Sequence, residues 1–236
     1  MKRLAIIGAY GGIGGAFLDH YLDQSATEMI YACSRKPVSV DSSRVIHLPV
    51  DLTEEATLEA AAHAIEQPLD GVIIACGLLH DEQLGPEKNL QQLDMAHMQR
   101  VFAINSIGPA LVMKYFTPLL DSRTRTVMAA LSARVGSIQD NRLGGWYSYR
   151  ASKAALNMLI KTAAIETRRR NREAIVVGLH PGTVDTSLSA PFQQRVTPDK
   201  LFSPGYAAAQ MAGVLEQLTP AASGRCFAYD GSEVPA

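Results

Sequence analysis

Residues 4–14 read LAIIGAYGGIG, and this glycine-rich stretch decides the predicted fold. Its apolar start is typical of a buried strand that ends at Gly8, and apolar residues at helical spacing follow from Ala16. Strand, glycine turn and helix in this order favour phosphate binding, because glycines let the backbone approach the ligand and the helix N-terminus supplies free N–H groups. The spacing GxxxGxG departs from GxGxxG, and a glycine-rich hairpin is the alternative interpretation. We expect these turn residues to hold a dinucleotide: Gly8, Tyr10, Gly11, Gly12, Ile13 and Gly14.

Outward from this stretch, strand-like and helix-like segments alternate along the whole chain. Short apolar runs predict strands at residues 29–33, 45–50, 72–75, 126–131, 174–179 and 226–229. Helical spacing predicts helices at residues 95–120, interrupted by Pro109, at residues 149–166 and at residues 205–218. Residues 78–94 and 134–146 are predicted loops. The pattern predicts an α/β fold: a single doubly wound Rossmann-type parallel sheet with helices on both faces, in one domain of residues 1–236.

Chemically distinctive residues follow several of these predicted strands. Ligands of doubly wound sheets bind outside the carboxyl ends of the strands. The residues at or just after those ends are Gly8, Arg35, Asp51, Gly77, Ser132 and Gly182. We therefore expect one ligand site along this edge of the sheet.

The end of the second predicted strand bears on which dinucleotide binds. A carboxylate about 20 residues beyond the glycines would hold the 2′-hydroxyl of an adenosine ribose. Ser34 and Arg35 stand there instead, followed by Lys36, and this set suits a 2′-phosphate. An ordinary basic loop is the alternative. The sequence favours NADP(H) over NAD(H).

Tyr149 and Lys153 are four residues apart on a predicted helix and therefore lie on one face of it. A cation about 5 Å from a phenol stabilises phenolate by roughly 3 kcal/mol at an effective dielectric of about 20. That is on the order of two pKa units, enough to make the tyrosine a usable general acid or base. Such a pair also arises by chance, so the motifs elsewhere in the sequence decide whether it indicates a catalytic site.

Composition bounds the class of protein. The chain is 47% hydrophobic and 19% charged, with a formal net charge of −1, so no overall field attracts nucleic acid or an acidic membrane. The basic run at residues 168–172 is expected to be solvated surface at a helix end. No apolar stretch approaches the roughly 20 residues of a membrane span. The three scattered cysteines and the scattered histidines predict neither disulfides nor a metal site, and they fit a cytoplasmic protein.

Several motifs occur in the order typical of one known family. They are the glycine turn, Asp51-Leu52 after the third strand, Asn105 on the long helix, the YxxxK pair and Pro181-Gly182-Thr183-Val184-Asp185-Thr186. On these residues the chain resembles a short-chain dehydrogenase/reductase over nearly its whole length. Residues 134–138, 149–157 and 230–235 resemble the C-factor-like branch, which is named for a bacterial cell–cell signalling protein.

The resemblance implies hydride transfer between a nicotinamide and a carbonyl or alcohol carbon. Tyr149 would donate the proton, Lys153 would depress the pKa of Tyr149 and hold the nicotinamide ribose, and Asn105 would position a water. Further cofactor contacts would come from Asp51, Leu52, Cys76, Gly77, Pro181, Gly182, Val184 and Thr186. The family commonly pairs its long helices across subunits, so a homodimer or homotetramer is expected.

Three positions depart from the family pattern. Ile7 replaces the usual threonine, residues 74–77 replace the usual Asn-Asn-Ala-Gly, and Ala133 stands where a serine polarises the carbonyl. Ser132 and Ser137 are the candidate replacements for that serine. The sequence thus predicts a cytoplasmic NADP(H)-dependent carbonyl reductase of a small molecule. The alternative is a signalling or interaction protein that binds nucleotide with little turnover.

Overall fold

The computed structural model of the protein describes residues 1–82 and 85–235, without the side chain of Arg195. Its strands are β1 (Arg3–Ile7), β2 (Met29–Ser34), β3 (Val45–Pro49), β4 (Gly71–Ile74), β5 (Thr126–Leu131), β6 (Ala174–His180), β7 (Thr183–Val184), β8 (Leu201–Phe202), β9 (Cys226–Ala228) and β10 (Glu233–Val234). Eight of them form one sheet in the order β10-β9-β6-β5-β4-β1-β2-β3. Its neighbours pair in parallel, apart from β9 and β10, which are antiparallel.

Helices cover both faces of this sheet. They are α1 (Gly12–Leu22), α2 (Glu55–His63), α3 (Met95–Phe102), α4 (Gly108–Phe116), α5 (Tyr147–Arg168) and α6 (Pro204–Gln217). Successive strand residues point to opposite faces, so β1 sends Leu4 and Ile6 into the core under α1 and α6. Ala5 and Ile7 enter the other core, under α2, α4 and α5. The apolar runs lack polar alternation because both faces are buried.

The topology produces a crevice at one edge of the sheet. From β1 the chain adds β2 and β3 on one side and then β4, β5 and β6 on the other. The strand order therefore reverses between β1 and β4, and the loops after these two strands diverge at their carboxyl ends. This confirms the predicted doubly wound sheet. The antiparallel edge strand β10 and the separate pair β7 and β8 were not predicted.

The segment predicted as one interrupted helix at residues 95–120 is interrupted just before Pro109. Between α3 and α4 it forms a π-helical turn, Ala103–Ile107. Pro109 follows this turn closely, and the backbone stays right-handed helical through Ile107 and Gly108. Proline lacks the N–H that would bond to the Asn105 carbonyl and crowds that carbonyl, so the π turn lies where Pro109 is expected to interrupt the helix. π turns are frequent at functional sites, and this one carries Asn105.

The loop predicted at residues 78–94 contains a 3₁₀ turn, Leu90–Gln92, and residues 83 and 84 lie outside the described part of the chain. Across residues 1–82 and 85–235, none of the helices combines the length and the apolar character that a membrane crossing requires.

Candidate active site

The glycine turn has the geometry of a phosphate-binding loop. Gly8 has a φ of +89°, a conformation that side chains rarely adopt, and its N–H donates to the Cys33 carbonyl at 2.7 Å. A Cβ on Gly14 would overlap the carbonyl oxygen of Gly8. The turn leads directly into α1, whose N-cap Gly11 has no side-chain cap. The hairpin interpretation is therefore wrong, and the first N–H groups of α1 have no acceptor within the helix.

A cavity of about 490 Å³ occupies the switch point between β1 and β4. It brings together nine of the residues that the sequence predicted to bind a cofactor: Gly8, Tyr10, Gly11, Ser34, Arg35, Asp51, Leu52, Cys76 and Gly77. Such a volume is typical of small-molecule sites, which often lie at the switch points of α/β sheets. Gly12, Ile13 and Gly14 lie beside it in the first turn of α1.

One end of this cavity is basic. The Ser34 hydroxyl donates to the Lys36 carbonyl at 2.7 Å and so shapes the loop instead of offering its proton to a ligand. Arg35 is exposed, and the Lys36 ammonium lies 5.5 Å from the centroid of the Tyr10 ring. Burial raises the pKa of Asp51, but hydrogen bonds from Thr53 and the charge of Arg35 outweigh it and hold this pKa below its usual range. This end can receive an anionic group through two cations.

At its other end the crevice reaches Gly77, and Lys153 and Asn105 lie beside this glycine. The buried Lys153 ammonium donates to the Leu131 carbonyl at 2.7 Å. A Cβ built on Gly77 would lie 3.7 Å from both the Lys153 Nζ and the Asn105 Oδ1. Residues far apart in sequence therefore meet after β4.

Asn105 is fully buried and its side chain is bonded to protein groups. Its Oδ1 accepts from the Leu78 N–H at 2.7 Å, and its Nδ2 donates to the Leu78 carbonyl at 2.8 Å and to the Ser152 hydroxyl at 3.1 Å. The amide thus ties the segment after β4 to α5. Both N–H groups of the amide are used in these contacts, so the side chain has no donor left for the expected water.

The pKa values of Tyr149 and Lys153 are set mainly by burial, which the shared helix face alone does not predict. Burial raises the pKa of Tyr149 to about 12 and lowers the pKa of Lys153 to about 8. The Lys153 Nζ lies 5.8 Å from the centroid of the Tyr149 ring and is directed to a backbone carbonyl. Burial accounts for the raised pKa of Tyr149, because it disfavours the phenolate, and the role of Lys153 in depressing this pKa stays a prediction.

The two candidate serines have different surroundings. Ser132 continues the face of β5 that packs on α5, and its hydroxyl donates to Asn157 Oδ1 at 2.6 Å. Asn157 is eight residues beyond Tyr149 on α5, roughly 12 Å along the helix axis. The Ser137 hydroxyl is buried and accepts from the Asp140 N–H at 3.0 Å. The strand has not bulged before Ala133, which is still extended, so the structure does not bring Ser132 to Tyr149.

The segment after β6 lies against the glycine turn. Gly182 has a φ of +77°, and Phe202 fills the space where its side chain would be. A Cβ on Gly12 would meet the Thr186 methyl at 2.8 Å, and Val184 is buried in the core shared with α1. Thr186 therefore lies beside the start of α1, and Val184 packs in the core that α1 shares. None of Pro181, Gly182, Val184 and Thr186 lines the main cavity, and their contacts with a cofactor stay predictions.

Sequence reasoning missed a buried carboxylate, Glu87, and the ring of Trp146 near Tyr149. Glu87 accepts from the Ser148 N–H at 3.1 Å and also from the Ser148 hydroxyl, at the start of α5. Trp146 packs on Tyr149 and Phe192. No motif spacing indicates these residues. The sequence could have indicated Trp146 in one way: it is the only tryptophan of the chain, and it directly precedes the helix with the YxxxK pair.

The fold and site together define a doubly wound α/β domain with a crevice at its strand switch point and a buried Tyr/Lys pair near the carboxyl end of β5. The model of the short chain dehydrogenase family matches residues 2–197, and the chain belongs to this family, whose members bind a nicotinamide cofactor.

Two relatives illustrate the range of the family. The chain is 37% identical over 146 residues to the C-signal of Myxococcus xanthus, covering 62% of this chain and 82% of that protein. It is 29% identical over 236 residues to the 1-hydroxy-2-glutathionyl-2-methyl-3-butene dehydrogenase of Rhodococcus sp. (strain AD45), covering 98% of each.

Solved structures share the fold at low identity. The NADPH-bound carbonyl reductase from chicken fatty liver has a TM-score of 0.86 and 24% identity, covering 100% of this chain and 99% of that chain. The carbonyl reductase Sniffer of D. melanogaster has a TM-score of 0.87 and 21% identity, covering both chains fully.

Proposed function

We propose that the protein is an NADP(H)-dependent reductase that converts the carbonyl group of a small molecule to an alcohol. The observation that carries this proposal is the crevice itself. It runs from a basic end, at Arg35 and Lys36, past the glycine turn to Gly77. The side chains of Asn105 and Lys153 are buried beside Gly77. A dinucleotide has a phosphate-bearing end and a reactive end, and this crevice offers a matching surface to each.

The proposed preference for NADP(H) rests on charge. Arg35 and Lys36 stand at the carboxyl end of β2, where an NAD-binding chain would place a carboxylate. The guanidinium suits a phosphate because it presents several N–H donors in a fixed plane. The NADPH-bound chicken reductase has the same fold, which is consistent with this assignment.

When bound, the nicotinamide supplies the hydride, and the residues of the chain supply position and a proton. The Tyr149 hydroxyl, neutral at pH 7 with its pKa raised by burial, donates its proton to the forming alkoxide. The Lys153 ammonium would hold the ribose of the cofactor and would offset the negative charge left on Tyr149 after the proton is transferred. Asn105 holds the backbone after β4 against α5 through Leu78 and Ser152, so it positions the crevice. Ser137 is proposed to supply the further donor that Ala133 lacks.

A second candidate function is a signalling or interaction protein that binds nucleotide with little turnover. The likeness to the C-signal and the alanine at position 133 favour it. A chain without turnover has no need for both Tyr149 and Lys153 in a buried crevice, so the reductase is the better-supported function.

We also infer that the protein is a single-domain cytoplasmic homodimer or homotetramer. The helix α5 presents Met158 and Ile165 to solvent, 66% and 52% exposed. A groove beside it runs between α4 and α5. Exposed apolar side chains on a long helix suit a subunit interface.

The test follows NADPH oxidation with a panel of aldehydes, ketones and quinones, using wild type and Tyr149→Phe. We expect turnover by wild type, its loss in Tyr149→Phe, and nearly unchanged NADPH affinity, because only the proton donor is removed. Tyr147→Phe, two residues earlier on α5, is the matched control and should keep activity. NADPH binding without turnover of any carbonyl would support the second function instead.

A further inference from the structure

Three rings from three distant parts of the chain meet beside Tyr149. The Trp146 ring centroid lies 6.2 Å from that of Tyr149 at an interplanar angle of 79°, and 5.0 Å from that of Phe192 at 60°. His80 lies 5.5 Å from Phe192 at 72°. These are tilted and edge-to-face contacts, the arrangements that aromatic quadrupoles favour. We call Trp146, Phe192 and His80 the aromatic corner.

The backbone holds Trp146 in a costly conformation to place its ring there. Its φ is +53°, and it is the one non-glycine residue with positive φ in the described part of the chain. Bulky side chains rarely adopt this conformation, and strain of this kind clusters at functional sites. The Trp146 N–H donates to the Glu87 carbonyl, while the buried Glu87 carboxylate binds Ser148. Glu87 thus fixes the residues on both sides of Tyr147, and with them the direction of the indole.

The segment that faces Trp146 across the site, residues 187–192, presents apolar side chains, and His80 holds it in place. The His80 Nε2 lies 3.1 Å from the carbonyl oxygens of both Ser187 and Leu188. Leu188 reaches the buried end of the crevice, where its Cδ1 would lie 3.9 Å from a Cβ on Gly77. Phe192 follows four residues later and covers one side of Trp146. The wall beside Tyr149 is therefore made of rings and an aliphatic side chain.

The nearby cations of α5 already have partners. The Arg150 guanidinium donates to the carbonyls of Gly145 and Val135, and the Lys153 ammonium donates to Leu131. Neither is directed to receive a carboxylate or phosphate of a substrate. Trp146, Phe192 and His80 are each only partly buried, so part of each ring remains available to a ligand.

We propose that the substrate is an aryl ketone or aryl aldehyde whose ring packs on Trp146 and Phe192 while its carbonyl faces Tyr149. This inference rests on the proposed reductase function. In the reaction, the carbonyl carbon gains a hydride from NADPH and the oxygen gains the Tyr149 proton. The products are a secondary or primary alcohol and NADP⁺, and Tyr149 recovers its proton from solvent. Each aromatic contact should favour the aryl substrate about 2- to 12-fold beyond its apolar area.

Turnover is compared for acetophenone and cyclohexyl methyl ketone, which have nearly the same shape but differ in aromaticity. The measured quantity is the ratio of kcat/KM for the two ketones. Trp146→Leu and Phe192→Leu keep an apolar side chain, and each should lower this ratio about 2- to 12-fold. The matched control is Tyr206→Leu, which removes a half-exposed ring from α6 and should leave the ratio unchanged. A ratio unaffected by both corner variants, with both ketones still reduced, overturns the aryl assignment and leaves the reductase function intact.

Binding is measured separately through the intrinsic fluorescence of Trp146, the only tryptophan of the chain. With NADP⁺ present, acetophenone should quench this emission saturably, and Phe192→Leu should weaken its binding at least twofold. N-acetyltryptophanamide shows the linear quenching of free collisions. Saturable binding without turnover of either ketone supports the aryl site but removes the reductase function. Purely linear quenching of the protein overturns the aryl site, whatever the turnover.

Discussion

Lys153 is placed at a cost to stability, and its replacement measures that cost. Burial lowers its pKa from an ordinary 10.5 to about 8. At about 1.36 kcal/mol per pKa unit, holding Lys153 protonated in the fold costs about 3 kcal/mol at pH 7. Lys153→Met removes this cost. It also removes the hydrogen bond to the Leu131 carbonyl, and this loss destabilises the variant by about 1–2 kcal/mol. We expect the variant to be about 1–2 kcal/mol more stable than wild type at pH 7 and to have no reductase turnover.

The pH dependence distinguishes this explanation from simple repacking. Below pH 8, Lys153 is protonated in both states and the full cost applies. Between pH 8 and 10.5, the unfolded chain binds more protons than the folded one, so the unfolding free energy of wild type rises with pH. The stability difference should therefore change by about 3 kcal/mol across this window, from about 1–2 kcal/mol in favour of Lys153→Met to about 1–2 kcal/mol in favour of wild type. The buried cysteines and Tyr149 titrate in both proteins, so their effects largely cancel in the difference.

Urea unfolding of the two proteins without cofactor, at pH 7, 8, 9 and 10, gives this difference directly. The control is Lys161→Met, because Lys161 lies two turns further along α5 and is exposed, so its replacement should change stability by less than about 0.5 kcal/mol. A difference between Lys153→Met and wild type that stays constant from pH 7 to 10 would refute the assignment of the cost to a buried charge.

Four further outcomes are expected. Arg35→Ala should weaken NADPH binding about 10- to 100-fold in calorimetry and leave NADH binding unchanged, since a charge-assisted contact is worth about 1.5–3 kcal/mol; equal losses for both cofactors would contradict the phosphate contact. Ser137→Ala should lower kcat about 100-fold, as loss of an oxyanion donor does, whereas Ser132→Ala should not, because Ser132 lies against Asn157, about 12 Å along α5 from Tyr149. Glu87→Gln should cost about 1–3 kcal/mol of stability, measured by thermal unfolding, because a charged acceptor at the buried start of α5 is lost. Light scattering at micromolar concentration should give a dimer or tetramer that Met158→Asp weakens, and a wild-type monomer would exclude the proposed interface.

Parts of the site that depend on local geometry could be read from the sequence. The glycine turn was predictable because close backbone approach and the positive φ at Gly8 both require glycine, so a short segment of sequence is enough to indicate them. The shared helix face of Tyr149 and Lys153 follows from the helical repeat alone. The strand ends were predictable to within about one residue at each core strand, because a strand buried on both faces must be apolar throughout.

Features that depend on long-range packing were decided only by the tertiary structure. The sequence shows that Lys153 is one turn from Tyr149, but only the packing of α5 on the sheet buries both and moves their pKa values apart. The direction of Ser132 depends on whether β5 stays extended up to Ala133. The aromatic corner draws His80, Trp146 and Phe192 from loops that follow different strands. Spacing along the chain fixes backbone conformation and helix faces, whereas desolvation and ring contacts depend on which segments the strand order brings together.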